Sequence, residues 1–497
     1  MRRALRSLGL AVLVVGVGCV VGACAPTRHV LEVGGDDALV IGDVTIIDGT
    51  GAPPRPHQDV VIEDGRIARI VEHSGGAPRR APGGPDVIDG RGLTLLPGFV
   101  DAHVHVGGDG APRGVKGLAV EENLERLLRV GITTAFDLGG DAQTMRTYAE
   151  RVDEGSLSGP RLKHTHLVIT AKDGYPLSLA DELMDAPAWL VRLALPQVGD
   201  VEDIGPILDE VDDAGVDFVK IMVDRVPADE PILDQTLLTA LVKEARTRGH
   251  AVVVHAGHVD DAVAAARAGA TMLAHLPRRG RFTAEQVQAL KDSGVVVITT
   301  AAMWETTADV LEGRFAPSAL DEALVPAEVI DAVKAPPDVA VLRTMRDDLV
   351  AARADRAENL KDLIAAGVPL AVGTDSPIPG TWAGSSYERE LEALLAAGLS
   401  PGQLIMAMTS TPARAVPGGA FGIVRPGVRA DLVLVEGDPL QDPLTLTRPR
   451  HILSGGRPVM PLSPLPPRSS PVTPSASSPP TEPTAAAPVG ADPDALR

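Results

Sequence analysis

Two histidines, His103 and His105, stand two residues apart near the end of an otherwise apolar run, LLPGFVDAHVHV (Leu95–Val106). Residues i and i+2 of a strand share a face, about 7 Å apart along the backbone, so both imidazoles can turn towards one ion. Metal–imidazole bonds of about 2.0–2.1 Å demand such convergence. A single histidine at a strand end reads most simply as a hydrogen-bonded core residue, and a pair shifts that reading only modestly. Three further residues decide it. AVVVHAGH carries His255 at the end of its apolar run, GATMLAHLP carries His275, and PLAVGTDSP closes on Asp375. Four imidazoles and a carboxylate at strand ends make a divalent-metal site, and nitrogen and oxygen donors suit zinc or a related transition ion.

Lys220, in VDFVKIMVD, adds a sixth group. A bare ammonium inside a buried strand is costly, and burial lowers its pKa towards the neutral amine. A neutral amine can take up carbon dioxide as a carbamate, an anion able to bridge two ions. The plainer alternative is an ion pair with Asp217 or Asp224. Beside four histidines and an aspartate, the carbamate is the favoured reading.

The elements that must position these groups are short apolar runs alternating with amphipathic stretches. The runs are Leu95–Val106, Ile132–Leu138, Leu162–Thr170, Phe218–Val223, Ala251–His255, Thr271–His275, Val295–Thr299 and Leu370–Asp375, and EENLERLLRV, DQTLLTALVKEART and DDAVAAARAG are clear helices between them. This α/β alternation predicts a TIM-type (β/α)8 barrel over residues 93–415, with functional groups at the carboxyl ends of its strands. An open doubly wound sheet is the alternative, but no glycine-rich dinucleotide fingerprint accompanies it. Strand-like segments on either side, ALVIGDVTII and VVIEDGRIARIV within 38–92 and ADLVLVEGDPL and RHILSGGRPV within 416–460, are too short for separate domains. They are expected to pair into one small β-sandwich, with turns at Asp48-Gly49 and Asp64-Gly65.

Residues 1–23 have a basic start (Arg2, Arg3, Arg6), an apolar stretch from Leu8 to Val21 and then small residues, the layout of an export signal. VGAC, Val21 to Cys24, resembles a bacterial lipobox, which implies cleavage before Cys24, its lipidation, and anchoring in the cell envelope, with residues 24–37 as a tether. Only Cys19 and Cys24 are cysteines, so the mature chain would carry no free thiol for metal ligation or nucleophilic attack. Residues 461–497, rich in Pro, Ser, Thr and Ala, have little to bury and are expected to be disordered. The formal charge is −20, and losing the three signal arginines takes it to −23. That balance argues against nucleic acid or an anionic membrane surface as partner. Membrane contact is therefore expected through the lipid alone, and the oligomeric state stays open. Aromatics are 2% of the chain, which leaves Val, Leu, Ile and Ala to build the core.

GFVDAHVH, together with VTIIDGTG, VIDGRGLTLLPG, GITTAFDLGG, GPRL, GTDS, MTSTPAR and GIVRPGVRADLVLVEGDPL in order, resembles the amidohydrolase superfamily over roughly Leu39 to Val459. The branch it is most similar to is the imidazolonepropionase-like group, with metal-dependent dipeptidases and prolidase-like enzymes. The resemblance implies two divalent ions. His103 and His105 would hold one with Asp375, His255 and His275 the other, and carboxylated Lys220 would bridge them. It implies hydrolysis of small amide or dipeptide-like carbon–nitrogen bonds by a metal-bound hydroxide, with Asp375 as the catalytic proton carrier. Some segments depart from that branch. LKHTHLVITAKDGYP offers His164, His166 and Tyr175 as substrate contacts or as structural residues, HAGH leaves His258 displaced and exposed, and SSYEREL lacks a histidine before its Glu-Leu pair. Arg161 and Arg278 read as surface residues, with a substrate carboxylate as the other reading. A lactonase or phosphotriester-type hydrolase on the same ions, and a non-catalytic solute-binding lipoprotein, are the competing functions. The intact ligand set speaks against the last.

Overall fold

A computed structural model describes residues 38–76, 86–112, 115–177, 191, 195–226, 230–459 and 465. The expected signal segment, Cys24, the tether and nearly all of the expected tail lie outside these residues. At the amino end, β1 (Leu39–Ile46) pairs antiparallel with β2 (Arg55–Glu63), which turns into β3 (Arg66–Glu72). The turn is Asp64-Gly65, both at positive φ, the backbone that a two-residue hairpin requires and that Asp-Gly adopts at least cost. β4 (Asp86–Asp89) and β5 (Leu93–Pro97) run parallel to β1.

Leu95–Val106, one strand by sequence, is two. The chain ends β5 at Pro97 and opens β6 (Phe99–Val104) after Gly98. A Cβ on Gly98 would stand 1.9 Å from Thr133 Oγ1, so only glycine lets the backbone cross here from the terminal sheet into the barrel.

β6 joins β7 (Ile132–Asp137) and β8 (Arg161–His164) in a parallel arc. After the short pair β9 (Thr170–Ala171) and β10 (Gln197–Val198), a second parallel arc follows: β11 (Phe218–Val223), β12 (Ala251–Ala256), β13 (Met272–Leu273), β14 (Val296–Ile298) and β15 (Leu370–Ala371). Each of the eight predicted barrel runs contributes a strand, several shorter than expected. Neighbours follow chain order, without the reversal that marks a doubly wound sheet. Single bridges between Thr165 and Phe218 and between Val104 and Ser376 link the two arcs. β16 (Leu432–Glu436), β17 (His451–Ser454) and β18 (Arg457–Pro458) then return to the terminal sheet, β16 pairing with β5. The segments before and after the barrel strands thus share one hydrogen-bonded sheet with its own apolar core, which includes Ile41, Val60, Leu95, Leu432 and Leu453.

Helices fill the connections. They include α1 (Val120–Arg129), α2 (Ala142–Asp153), α3 (Ile204–Ala214), α4 (Gln235–Thr247), α5 (Val259–Ala268), α6 (Ala284–Ser293) and α7 (Ala301–Leu311). Between β14 and β15 the chain also forms α8 (Ala319–Leu324), α9 (Ala327–Val333), α10 (Ala340–Ala351) and α11 (Arg353–Ala366); α12 (Ser385–Ala396), α13 (Pro401–Met408) and α14 (Ser410–Arg414) follow β15. The spacing of Leu124, Leu127 and Leu128 buries one face of α1, and Asp234 caps α4 by accepting from the Thr236 and Leu237 N–H groups. Every residue of β12 is buried, as expected of a strand covered on both faces. No helix among the described residues is long and apolar enough to cross a membrane.

Candidate metal centre

β6 carries an extra residue. Its three steps from Asp101 to Val104 face two steps of β7, from Ala135 to Asp137. Such a bulge changes which side chains face inward. Val100 and Ala102 belong to an apolar cluster with Phe136, Phe218 and Val253, yet beyond the bulge His103 and His105 turn to the same centre. On β11 and β12, where no irregularity intervenes, Lys220 follows Phe218 and His255 follows Val253 by plain alternation.

The imidazoles meet on Asp375. Its Oδ1 lies 3.2 Å from His103 Nε2 and 3.1 Å from His105 Nε2, and its Oδ2 lies 3.9 Å from His275 Nε2. The His103 and His105 Nε2 atoms are themselves 3.2 Å apart. Ligand atoms of His103, His275 and Asp375 all fall within 4.8 Å of one another, a candidate cation site. Asp375 reaches this position with φ of 57°, a left-handed backbone that a non-glycine residue adopts at a cost, and its N–H donates to the His103 carbonyl at 2.7 Å.

The other ring nitrogens are held by oxygen. His103 Nδ1 lies 2.9 Å from the Ala274 carbonyl, His105 Nδ1 3.3 Å from the Gly139 carbonyl and His275 Nδ1 2.9 Å from Thr300 Oγ1. The carbonyl acceptors of His103 and His105 fix the proton on Nδ1 and leave Nε2 with its lone pair facing inward, the state a metal ligand needs, while the Thr300 hydroxyl is able to accept from His275 in the same way or to donate to it. Burial, reinforced by Lys220 for His103 and by His255 for His275, pushes both well below the usual histidine value. Burial acts the same way on His105, but Asp375 outweighs it and raises that imidazole.

Lys220 is 3% exposed, and its Nζ sits 3.4 Å from His103 Nε2. Burial draws its pKa down to about 8 against the pull of Asp375 and Asp137. Neither predicted ion-pair partner is on it. Asp217 holds Lys163 at 2.7 Å, and Asp224 takes Arg278 Nε at 2.9 Å and His255 Nε2 at 3.2 Å. A buried amine among imidazoles fits a carboxylated ligand, and the donor set as a whole fits a divalent ion.

Arg278 corrects a sequence expectation. It is 2% exposed rather than a surface residue, with two bonds to Asp224, one to Asp348 and one to the Arg225 carbonyl. Asp224 sits beside Gly257, where a Cβ would stand 1.8 Å from its Oδ1, so the glycine of HAGH makes room for this carboxylate. Burial would raise Asp224, but His255 and Arg278 outweigh it and hold the carboxylate below its ordinary value. His255 is therefore the one predicted ligand whose Nε2 faces a carboxylate other than Asp375. Arg161 is partly buried and pairs with Asp431 of the terminal sheet at 2.8 Å. His258 is only partly exposed, and its Nδ1 accepts from the Asp260 N–H at the start of α5.

Of the predicted substrate contacts, Tyr175 stacks 5.8 Å from the His255 ring, and burial and the Asp224 charge raise its hydroxyl above the usual phenol value. His164 is buried, its Nδ1 3.3 Å from the Thr165 carbonyl, and His166 Nδ1 is buried without a hydrogen-bond partner. Other contributors went unread. Asp101 accepts from Thr374 N, Thr374 Oγ1 and His103 N, and burial raises its pKa to about 7. Asp137 accepts from Val106 N and Gly139 N, which pins the turns on either side of His105. Asp137 ends β7, the same signal that marked the histidines, whereas Asp101 sits in the middle of β6.

The family model described as the amidohydrolase family matches residues 94–459. The chain belongs to the amidohydrolase family. Hydrolysis of carbon–nitrogen bonds comes with that membership. An imidazolonepropionase of Anaeromyxobacter sp. (strain K) is 25% identical over 405 residues, 76% of this chain and 84% of that protein. An N-acyl-D-aspartate deacylase of Alcaligenes xylosoxydans xylosoxydans is 44% identical over 67 residues, but the match spans only 14% of this chain and 12% of that enzyme. The solved structure of a Xaa-Pro dipeptidase with bound methionine in the active site superposes with a TM-score of 0.69 at 19% identity, over 85% of this chain and 100% of the other. That likeness speaks to the fold, a TIM-type α/β barrel.

Proposed function

We propose that the chain is an exported, lipid-anchored amidohydrolase that holds two divalent ions, zinc by donor chemistry, and hydrolyses small amides or dipeptide-like molecules. The observation that carries this reading is the meeting of His103, His105 and His275 on the Asp375 carboxylate, beside an amine, Lys220, that neither nearby aspartate claims. In this reading His103, His105 and Asp375 would hold one ion and His255 and His275 the other, with Lys220, as its carbamate, a ligand shared between them. Once bound, the ions supply an activated water and polarise the scissile carbonyl. Asp375 would serve as the proton carrier, its carboxylate able to accept a proton beside the scissile bond and to pass it to the leaving nitrogen. Tyr175, His164 and His166 would contact the substrate, a reading supported for Tyr175 by its ring lying against His255. The imidazolonepropionase and Xaa-Pro dipeptidase likenesses favour a small amide or dipeptide-like substrate over an ester or phosphotriester. The barrel is read as closed, with the terminal sheet folding over its own core as a β-sandwich. Export rests on the arginines and apolar run before Val21–Cys24.

Elemental analysis of the full-length protein followed by a screen of dipeptides, N-acyl amino acids and activated esters tests the reading. Two metal equivalents per chain and amide turnover that chelation abolishes are expected. A protein that binds no metal, or one that turns over amides equally well after chelation, would end it.

A further inference from the structure

A threonine that precedes a helix normally turns its hydroxyl onto the N–H groups of the first turn. Thr300 precedes α7 and makes no such cap. Its hydroxyl instead lies 2.9 Å from His275 Nδ1, and its backbone is left-handed, at φ 39° and ψ 33°. For a β-branched residue that conformation is a genuine outlier, kept only where the surroundings enforce it.

The enforcing group is Glu390, on α12 and wholly buried. Its Oε1 accepts from the Thr299 hydroxyl and from Ala301 N–H at 3.0 Å, and its Oε2 accepts from Ala302 N–H at 2.7 Å. These donors flank Thr300 on both sides. One carboxylate thus supplies the helix cap that Thr300 has given up and fixes the residues before and after it. α7 also covers the ring it serves: Trp304 packs 5.3 Å from His275 and donates from Nε1 to the Leu276 carbonyl at 3.0 Å.

We propose that Glu390 is a positioning residue for His275, acting through the left-handed Thr300 to hold the Nδ1 proton and so present Nε2 to the metal. The inference rests on the reading of His275 as a ligand. Removing such a supporting partner typically costs about 10–100-fold in metal affinity. A purely structural role would make that loss follow stability, and the two separate at Thr300. Glycine relieves the left-handed backbone but deletes the hydroxyl, whereas serine keeps it.

The test uses the full-length chain with 15N-labelled histidine, read for the His275 tautomer by imidazole nitrogen shifts, for zinc affinity by chelator competition, and for melting temperature. Wild type and Thr300→Ser should carry the His275 proton on Nδ1 and bind zinc within about threefold of each other, well short of the loss expected when a supporting partner goes. Thr300→Gly should melt at or above the wild-type temperature yet lose the Nδ1 tautomer and about tenfold or more in zinc affinity. Glu390→Gln, whose amide cannot accept at both positions, should show the same tautomer and affinity losses. Should Glu390→Gln fail to fold, Glu390→Asp with Thr300→Gly decides. A Thr300→Gly protein with wild-type tautomer and affinity overturns the inference, as does a wild type whose His275 proton sits on Nε2. Zinc affinity unchanged in His275→Ala would overturn the metal reading instead, with the tautomer result still deciding the relay.

Discussion

Arg278→Met strands a buried carboxylate. The guanidinium donates twice to Asp224 at 2.9 and 3.1 Å, once to Asp348 at 2.9 Å and once to the Arg225 carbonyl at 2.8 Å, with both Arg278 and Asp224 almost fully inaccessible. Methionine fills much of the same volume but leaves Asp224 with His255, the Arg225 N–H and a longer contact of 3.5 Å to the partly exposed Arg279 guanidinium, which compensates it only weakly. Breaking a buried pair from one side costs about 3–5 kcal/mol, because the charge left behind is uncompensated. With an unfolding entropy of about 2.1 cal/mol/K per residue and roughly 400 ordered residues melting together, this becomes a fall of about 4–6 °C in melting temperature. The double variant Arg278→Met/Asp224→Asn removes the stranded charge and should recover more than half of the loss. Scanning calorimetry of the metal-free full chain measures all three. A drop under about 1 °C in the single variant, or a double variant no more stable than the single, would refute the claim that this pair is held together in the core.

Cys24→Ser should leave the protein uncleaved or released while fold and activity survive; unchanged membrane fractionation with no fatty-acid tracer in either form would exclude lipid anchoring. Lys220→Ala should lower both metal content and activity, with partial rescue by a short carboxylate that enters the vacated space, and full metal content without any added acid would count against the carbamate. In the terminal sheet, burial lowers His73, but Asp59 at 2.8 Å and the Gly76 carbonyl outweigh it and raise its pKa. Its stabilising effect is therefore complete below about pH 6.5 and fades as pH rises through the raised value. His73→Gln should accordingly depress the melting temperature more at pH 6 than at pH 8, and an equal or reversed difference would show the pair is not ionised.

The proposed metal ligands stood out because barrel strands are continuously apolar, and the structure brings His103, His105, His275 and Asp375 together while His255 faces Asp224. The breaks in the regular pattern were not. Leu95–Val106 is apolar on both sides of Gly98, and only the approach of Thr133 shows that two sheets share it. The bulge between Asp101 and Val104 leaves no mark in residue type, yet it decides which residues of β6 reach the centre. Arg278 and Asp224 failed for a different reason: a charged residue in a connecting segment reads as exposed unless its partner, 54 positions away, is known. Thr300 and Glu390 were hidden likewise, since their roles arise from β14, α7 and α12 packing together.

Whether Asp375 moves the proton tests the mechanism most directly. Asp375→Asn keeps the shape and one oxygen but removes the charge and the proton-accepting capacity, and general acid–base help is worth about 10²–10⁴-fold. The measurement is turnover of a dipeptide or simple amide against an activated ester, by wild type and Asp375→Asn at matched metal occupancy. The predicted result is at least about a hundredfold loss on the amide, whose nitrogen must be protonated to leave, and a smaller loss on the ester. Near-normal amide turnover by Asp375→Asn with its metals in place would contradict it.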